Sequence, residues 1–250
     1  MSITGKDAKS PTRAGIPIGD LGSGLYSVIG ILSALYSREK TQKGQHIDLS
    51  LLDVQISLLT YMATMQTLSG IDPEPIGNAH FVHVPYNSFT TSDGFVVIAV
   101  ITDEFWKSLK SVVNVDSLDD PKFDSSIDRL KNQSFIENEL NKALSTQTSD
   151  HWIEKLNKAK VPCGPINKFS DALNDEQVKH RNMIVEVEHP DGGFVKMPGN
   201  PVKMSYTNEE SYSSPPHLGT NTREILKNWS KYGEDKIKDL EKENIIQSID

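Results

Sequence analysis

Between Gly70 and Tyr86 the chain carries three prolines and two glycines, in Gly-Ile-Asp-Pro-Glu-Pro-Ile-Gly-Asn-Ala-His-Phe-Val-His-Val-Pro-Tyr. Proline removes a backbone donor and fixes φ, so no regular helix or strand runs through such a stretch. A chain of 250 residues is thereby cut into a short leading part and a longer trailing one. Any fold must join them through an irregular linker, expected over 71–86.

The leading part, 1–70, reads as two helices. In the first, Leu21, Leu25, Val28, Leu32 and Leu35 recur at steps of four and three, one face of a helix over about 21–39. Gly22, Gly24, Gly30 and Ala34 have almost no side chain, so another segment can approach closely. Lys40 to Gly44 ends this helix. Gln45 to Leu49 reads as a short strand. The second helix carries Leu49, Leu52, Ile56, Leu59 and Ala63 on one stripe and Leu51, Val54, Leu58 and Met62 on another. A helix apolar on most sides expects burial on most sides.

Asp20 stands where the first helix begins. It suits an N-cap, because Asp accepts from the free amides of the first turn. It also suits a nucleophile, because a carboxylate in a glycine-walled cleft can attack an activated acyl group.

Beyond the linker, Ser92-Asp93-Gly94 marks a turn and Phe95 to Ile101 a strand. Thr102 or Asp103 caps a helix bearing Phe105, Trp106, Leu109 and Val112. Helices follow over about 126–145 and 150–158, and Val161 to Ile166 is extended. A helix over 170–181 precedes a hairpin of Met183–Glu188 and Phe194–Met197 around His189-Pro-Asp-Gly-Gly. Residues 199–219 form a second linker. Asn221 with Glu224 resembles a capping box that starts a final helical segment over 220–250.

Net charge is −8, with only five arginines and no basic patch, which argues against nucleic acid. No apolar run is expected to reach the length of a membrane span. One cysteine, Cys163, excludes an internal disulfide or cysteine-based zinc site, and a cytoplasmic location is expected. Its flanks, Pro162 and Gly164, bring no paired histidine, so a structural thiol is favoured over a nucleophile. His80 and His83 without a third ligand do not make a metal site, and none is expected; loop roles or contacts to a substrate acid group remain. Gly22-Ser-Gly24-Leu-Tyr-Ser27 departs from the dinucleotide fingerprint at its third glycine.

Taken in order, several stretches resemble the family III CoA-transferases, the group of formyl-CoA transferase, the carnitine CoA-transferases and the α-methylacyl-CoA racemases. They are Pro17-Ile-Gly-Asp20-Leu-Gly-Ser-Gly, Lys43 to Asp53, Gly77-Asn-Ala-His80 with Val84-Pro-Tyr86, Asp93-Gly94, Phe105-Trp106, Val161-Pro-Cys-Gly-Pro165 and Pro215-Pro-His-Leu-Gly219. The resemblance implies an α/β fold: part of a Rossmann-like large domain over 1–70, a smaller α/β domain over 87–198, and C-terminal helices over 220–250 returning to the large domain. It implies an interlocked homodimer. It implies no permanently bound cofactor, with coenzyme A as a substrate, and an acyl-CoA and a small carboxylic acid as partners.

The resemblance also assigns Asp20 as the catalytic carboxylate, forming an aspartyl-CoA thioester. Gly22, Gly24, Gly77, Asn78 and His80 become candidates for lying near substrate or CoA. The consecutive glycines of formyl-CoA transferases have no counterpart here, which disfavours oxalate and leaves dicarboxylic acids such as glutarate or succinate. The racemase Glu position reads as Thr102, so a racemase or dehydratase is the lesser alternative. Members of this family carry a long CoA-binding segment ahead of the catalytic Asp. This sequence reaches its Asp within twenty residues, so it is expected to represent a C-terminal part, with a catalytically silent fragment as a further alternative.

Overall fold

The computed structural model describes residues 1–207 and 211–247. The chain divides into two compact units, Met1–Ile166 and Asn167–Asp250. The 71–86 linker lies inside the first unit. Part of the second linker, residues 208–210, and the final residues 248–250 lie outside the described residues.

The first unit begins with three helices, α1 (Ile18–Thr41), α2 (Leu51–Leu58) and α3 (Tyr61–Ser69). Helix α1 is longer than its periodicity suggested. Pro17, with φ −74°, is its N-cap, and it ends at Gln42 in the left-handed region. Gln45–Leu49 is not a strand but irregular backbone. The single second helix expected from the sequence is interrupted: Thr60 sits at φ 51°, a conformation that β-branched residues rarely adopt, and it separates α2 from α3.

Glycine decides how α1 meets its neighbours. A Cβ on Gly22 would come within 3.0 Å of a Leu58 methyl and 3.3 Å of a Val54 methyl. One on Gly30 would lie 3.4 Å from Ile47. Gly24 faces open space, so it permits no close approach within this chain. Between the helices Val54 and Ser23 are buried, while Leu21, Leu25, Val28, Ile29 and Leu32 stay more than half exposed. Helix α1 is also long and apolar enough to cross a membrane by length and composition, against the expectation that no segment reaches that length.

The rest of the unit is an α/β body. Strands β1 (Tyr86–Thr90), β2 (Phe95–Ala99) and β3 (Cys163–Pro165) form an antiparallel sheet in that order. Phe89 faces Val96 across the first pair and Ile98 faces Cys163 across the second. Strand β1 falls at the end of the expected linker, because Asn87 and Ser88 broke the apolar run that would have marked it.

Helices α4 (Asp103–Val113), α5 (Ser126–Lys131), α6 (Gln133–Leu144) and α7 (Ser149–Lys158) complete the body. The expected 126–145 helix bends at Asn132, which ends α5 and starts α6. Val96, Ile98 and Val100 alternate inward and meet Trp106, Leu109, Phe123, Ile136, Leu140, Leu144 and Leu156 in one core. Thr102 Oγ1 accepts from the Phe105 amide at 3.2 Å, so of the two caps the sequence offered, Thr102 and Asp103, it is Thr102 that fills the position. The Asp93 carboxylate accepts from the Ser149 amide (2.8 Å), the Ser149 hydroxyl (2.9 Å) and the Thr91 hydroxyl (3.0 Å), and so ties the β1–β2 turn to the start of α7.

The second unit contains α8 (Phe169–Asn174), α9 (Glu176–His180), the hairpin β4 (Ile184–Glu188) and β5 (Phe194–Pro198), α10 (Thr222–Asn228) and α11 (Glu234–Lys242). Asp175 splits the expected 170–181 helix by capping α9, where its carboxylate accepts from the Gln177 and Val178 amides. The capping box at Asn221 does not form, because the Asn221 side chain makes no capping bond.

Candidate active site

Because Pro17 is the cap, Asp20 is not the N-cap expected from the sequence. It occupies the first turn of α1, is exposed, and makes no hydrogen bond or ion pair among the described residues. Its carboxylate is free of structural duty, and the helix dipole favours negative charge at that turn. Ser23, one turn on, is buried and donates to the Gly19 carbonyl at 2.7 Å. Gly22 seats the same turn on α2. The first turn of α1 is thus held from behind by Ser23 and Gly22 while Asp20 faces outward.

The second cluster of expected site residues lies in the linker. Gly77 has φ +66° and its amide donates to the Gly5 carbonyl at 2.9 Å, so the N-terminal loop runs beside this turn. Asn78 donates to the Ser88 hydroxyl at 2.9 Å. His80 Nδ1 accepts from the Val82 amide (3.1 Å) and the His83 amide (3.3 Å). With Nδ1 occupied as an acceptor, the neutral ring carries its proton on Nε2. Burial, reinforced by the neighbouring His83, lowers the His80 pKa and favours that neutral form. The rings of His80 and His83 are 4.6 Å apart, and Tyr86 lies 5.2 Å from His80.

Gly77, Asn78 and His80 are therefore brought into one turn. Among the described residues, no hydrogen bond or ion pair connects that turn to Asp20. Gly22 belongs to the helix packing and Gly24 to open surface.

Cys163 is half-buried, and burial raises its thiol pKa. A thiol so shifted is a poor nucleophile, as its sequence context suggested. Among the described residues no group of three or more His, Cys, Asp or Glu could hold a metal ion. In the second unit an open cavity of about 750 Å³ lies between α8, α9 and the β4–β5 hairpin, near Lys179 and Tyr212.

Sequence reasoning missed Arg129. Its side chain is 1% exposed and makes four hydrogen bonds, one of them to the end of the linker. The signal available was an arginine among the polar residues of an otherwise ordinary helix, which does not distinguish a buried clamp from a solvated charge.

Three comparisons bear on this geometry. The sequence pattern of CoA-transferase family III matches residues 1–222. An acetyl-CoA:oxalate CoA-transferase of Acetobacter aceti is 38% identical over 82% of this chain and 52% of its own length. A human succinyl-CoA:glutarate CoA-transferase is 30% identical over 96% of this chain and 55% of its own. The chain spans about half the length of the curated relatives it matches. Among solved structures, a CAIB/BAIF family protein from Brucella suis superposes with a TM-score of 0.74 at 32% identity, covering 86% of this chain and 56% of that one. A Mycobacterium tuberculosis protein shares the fold with a TM-score of 0.71 at 18% identity, over 83% of this chain and 54% of its own.

Proposed function

The chain belongs to CoA-transferase family III, and from that premise we propose that the protein transfers CoA from an acyl-CoA to a small dicarboxylic acid through Asp20. The observation that carries this reading is the state of Asp20: an exposed carboxylate without structural partners, on a turn fixed by Ser23 and Gly22. A cap or a salt-bridge anchor would be engaged. A nucleophile must be available.

The Asp20 carboxylate attacks the thioester carbonyl of the donor, giving a mixed anhydride and CoA thiolate. The thiolate then attacks the Asp20 carbonyl, releases the donor carboxylate and leaves an aspartyl-CoA thioester. The acceptor carboxylate attacks that thioester, forming a new mixed anhydride and freeing CoA thiolate. Attack of the thiolate on the acceptor's acyl carbon yields the new acyl-CoA and restores the Asp20 carboxylate. Each tetrahedral step builds negative charge, which the amides at the start of α1 are suited to accept.

The acceptor class follows from relatives named for oxalate and glutarate. The first of these returns oxalate to the acids that deserve trial, despite the missing glycine run. Gly77, Asn78 and His80 border the acyl groups in this reading, with His80 offering Nε2–H to a carboxylate. We also propose a cytoplasmic homodimer.

Incubation with acyl-CoA followed by hydroxylamine should convert Asp20 to its hydroxamate, detected by peptide mass spectrometry. Asp20→Ala should lower turnover by about 10³-fold or more and leave the melting temperature unchanged. Retained turnover in that variant would overturn the assignment.

A further inference from the structure

We propose that Arg129 is a positioning residue that sets the Gly77–His83 turn. The turn and the α/β body meet at Val84, whose side chain is buried. Arg129 reaches that point from α5. Its Nε donates to the Val84 carbonyl at 2.9 Å, Nη1 donates to the carbonyls of Phe123 (3.1 Å) and Asp124 (2.9 Å), and Nη2 donates to Asp103 at 2.7 Å. The guanidinium also lies 5.5 Å from the Trp106 ring centre.

A buried cation is costly unless its donors are met. Here both edges of the fork are engaged, and only the planar, five-donor guanidinium has the geometry to serve three carbonyls and a carboxylate together. Three of those contacts lie within the body: Asp103 opens α4, and Phe123 and Asp124 precede α5. The fourth, to Val84, leads outward. From there the chain runs back through His83 and Val82, whose amides donate to His80 Nδ1. On the other side of Val84, the Pro85 carbonyl accepts from the Val100 amide at 2.8 Å. Arg129 thus fixes the residue that joins the histidine turn to the sheet, and through it the direction of the His80 ring. The consequence for acyl transfer rests on the reading of Asp20 and His80 given above. The positioning itself does not.

The test is hydrogen exchange followed by mass spectrometry on Arg129→Lys and Arg129→Gln, with NMR titration of the His80 ring. Loss of a hydrogen bond from a charged donor should raise exchange across 76–85 by about tenfold or more, with strand β2 and helix α6 unaffected. The His80 titration should move up toward the ordinary histidine range. Asp103→Asn keeps all three carbonyl contacts and should leave both readouts unchanged. A uniform rise over β2, α6 and the turn would overturn the proposal, because Arg129 would then be a packing residue. So would an unchanged turn, or failure of both Arg129 variants to fold. Failure to trap Asp20 would leave these readouts intact, and an unmoved turn would leave the Asp20 chemistry intact.

Discussion

Helices α1–α3 and the α/β body that follows them spend their apolar residues in opposite ways. In the body, Phe89, Ile98, Trp106, Leu140 and Leu156 are completely buried. On α1, Leu25 is 68% exposed and Leu32 60%, although both stand on as regular a stripe as any in the chain. The difference lies in connectivity. The body closes its sheet and four helices within one contiguous stretch, so each apolar face finds its cover nearby. The α1–α2 pair meets along the narrow seam of Gly22, Ser23 and Val54, and the stripe beside that seam faces outward. An apolar stripe specifies which face needs cover, and says nothing about what supplies it.

Core truncation gives the widest test of this contrast. Leu140→Ala should cost about 2–5 kcal/mol in urea unfolding, whereas Leu25→Ala should change stability by less than about 0.5 kcal/mol. Equal costs would mean that α1 is covered in solution. A smaller effect separates two glycines of one helix. Gly24→Ala, into open space, should gain about 0.5–1 kcal/mol from helix propensity. Gly22→Ala must displace Leu58 and should lose about 1 kcal/mol net. The sign difference, read from the same denaturation curves, locates the seam.

The smallest effect is one of pH. Bonds from the Ser149 amide and hydroxyl, the largest causes, and from Thr91 hold the Asp93 pKa below the usual carboxylate range. A depressed folded pKa stabilises above the unfolded value and loses that stabilisation as pH falls through the folded one. Body stability should therefore decline as pH drops below about 4. Asp93→Asn should flatten that slope in thermal melts.

Much of the body was readable because its signals are local. The Thr102 cap, the inward alternation through Val96 and Ile98, and the helix over Ser149–Lys158 each depend on residues within a few positions. The errors came where a single residue overrides a pattern. Thr60 breaks an apolar run that periodicity would continue, Asn132 and Asp175 each divide a helix, and Pro17 takes the cap position for which Asp20 has the right chemistry. With Pro17 as the cap, Asp20 lies in the first turn with its carboxylate unengaged. Arg129 was illegible for the reverse reason: its partners at Val84 and Asp103 are distant in sequence, and nothing in its own neighbourhood marks it as buried.

The antiparallel order β1–β2–β3 has a kinetic consequence. Strands β1 and β2 are sequence neighbours across a tight turn, and such hairpins close in roughly 1–10 μs. Strand β3 is separated from β2 by the whole of α4 to α7, a far longer loop to close. The hairpin should therefore form first, and pairing of Cys163 with Ile98 is the slower closure expected from loop length.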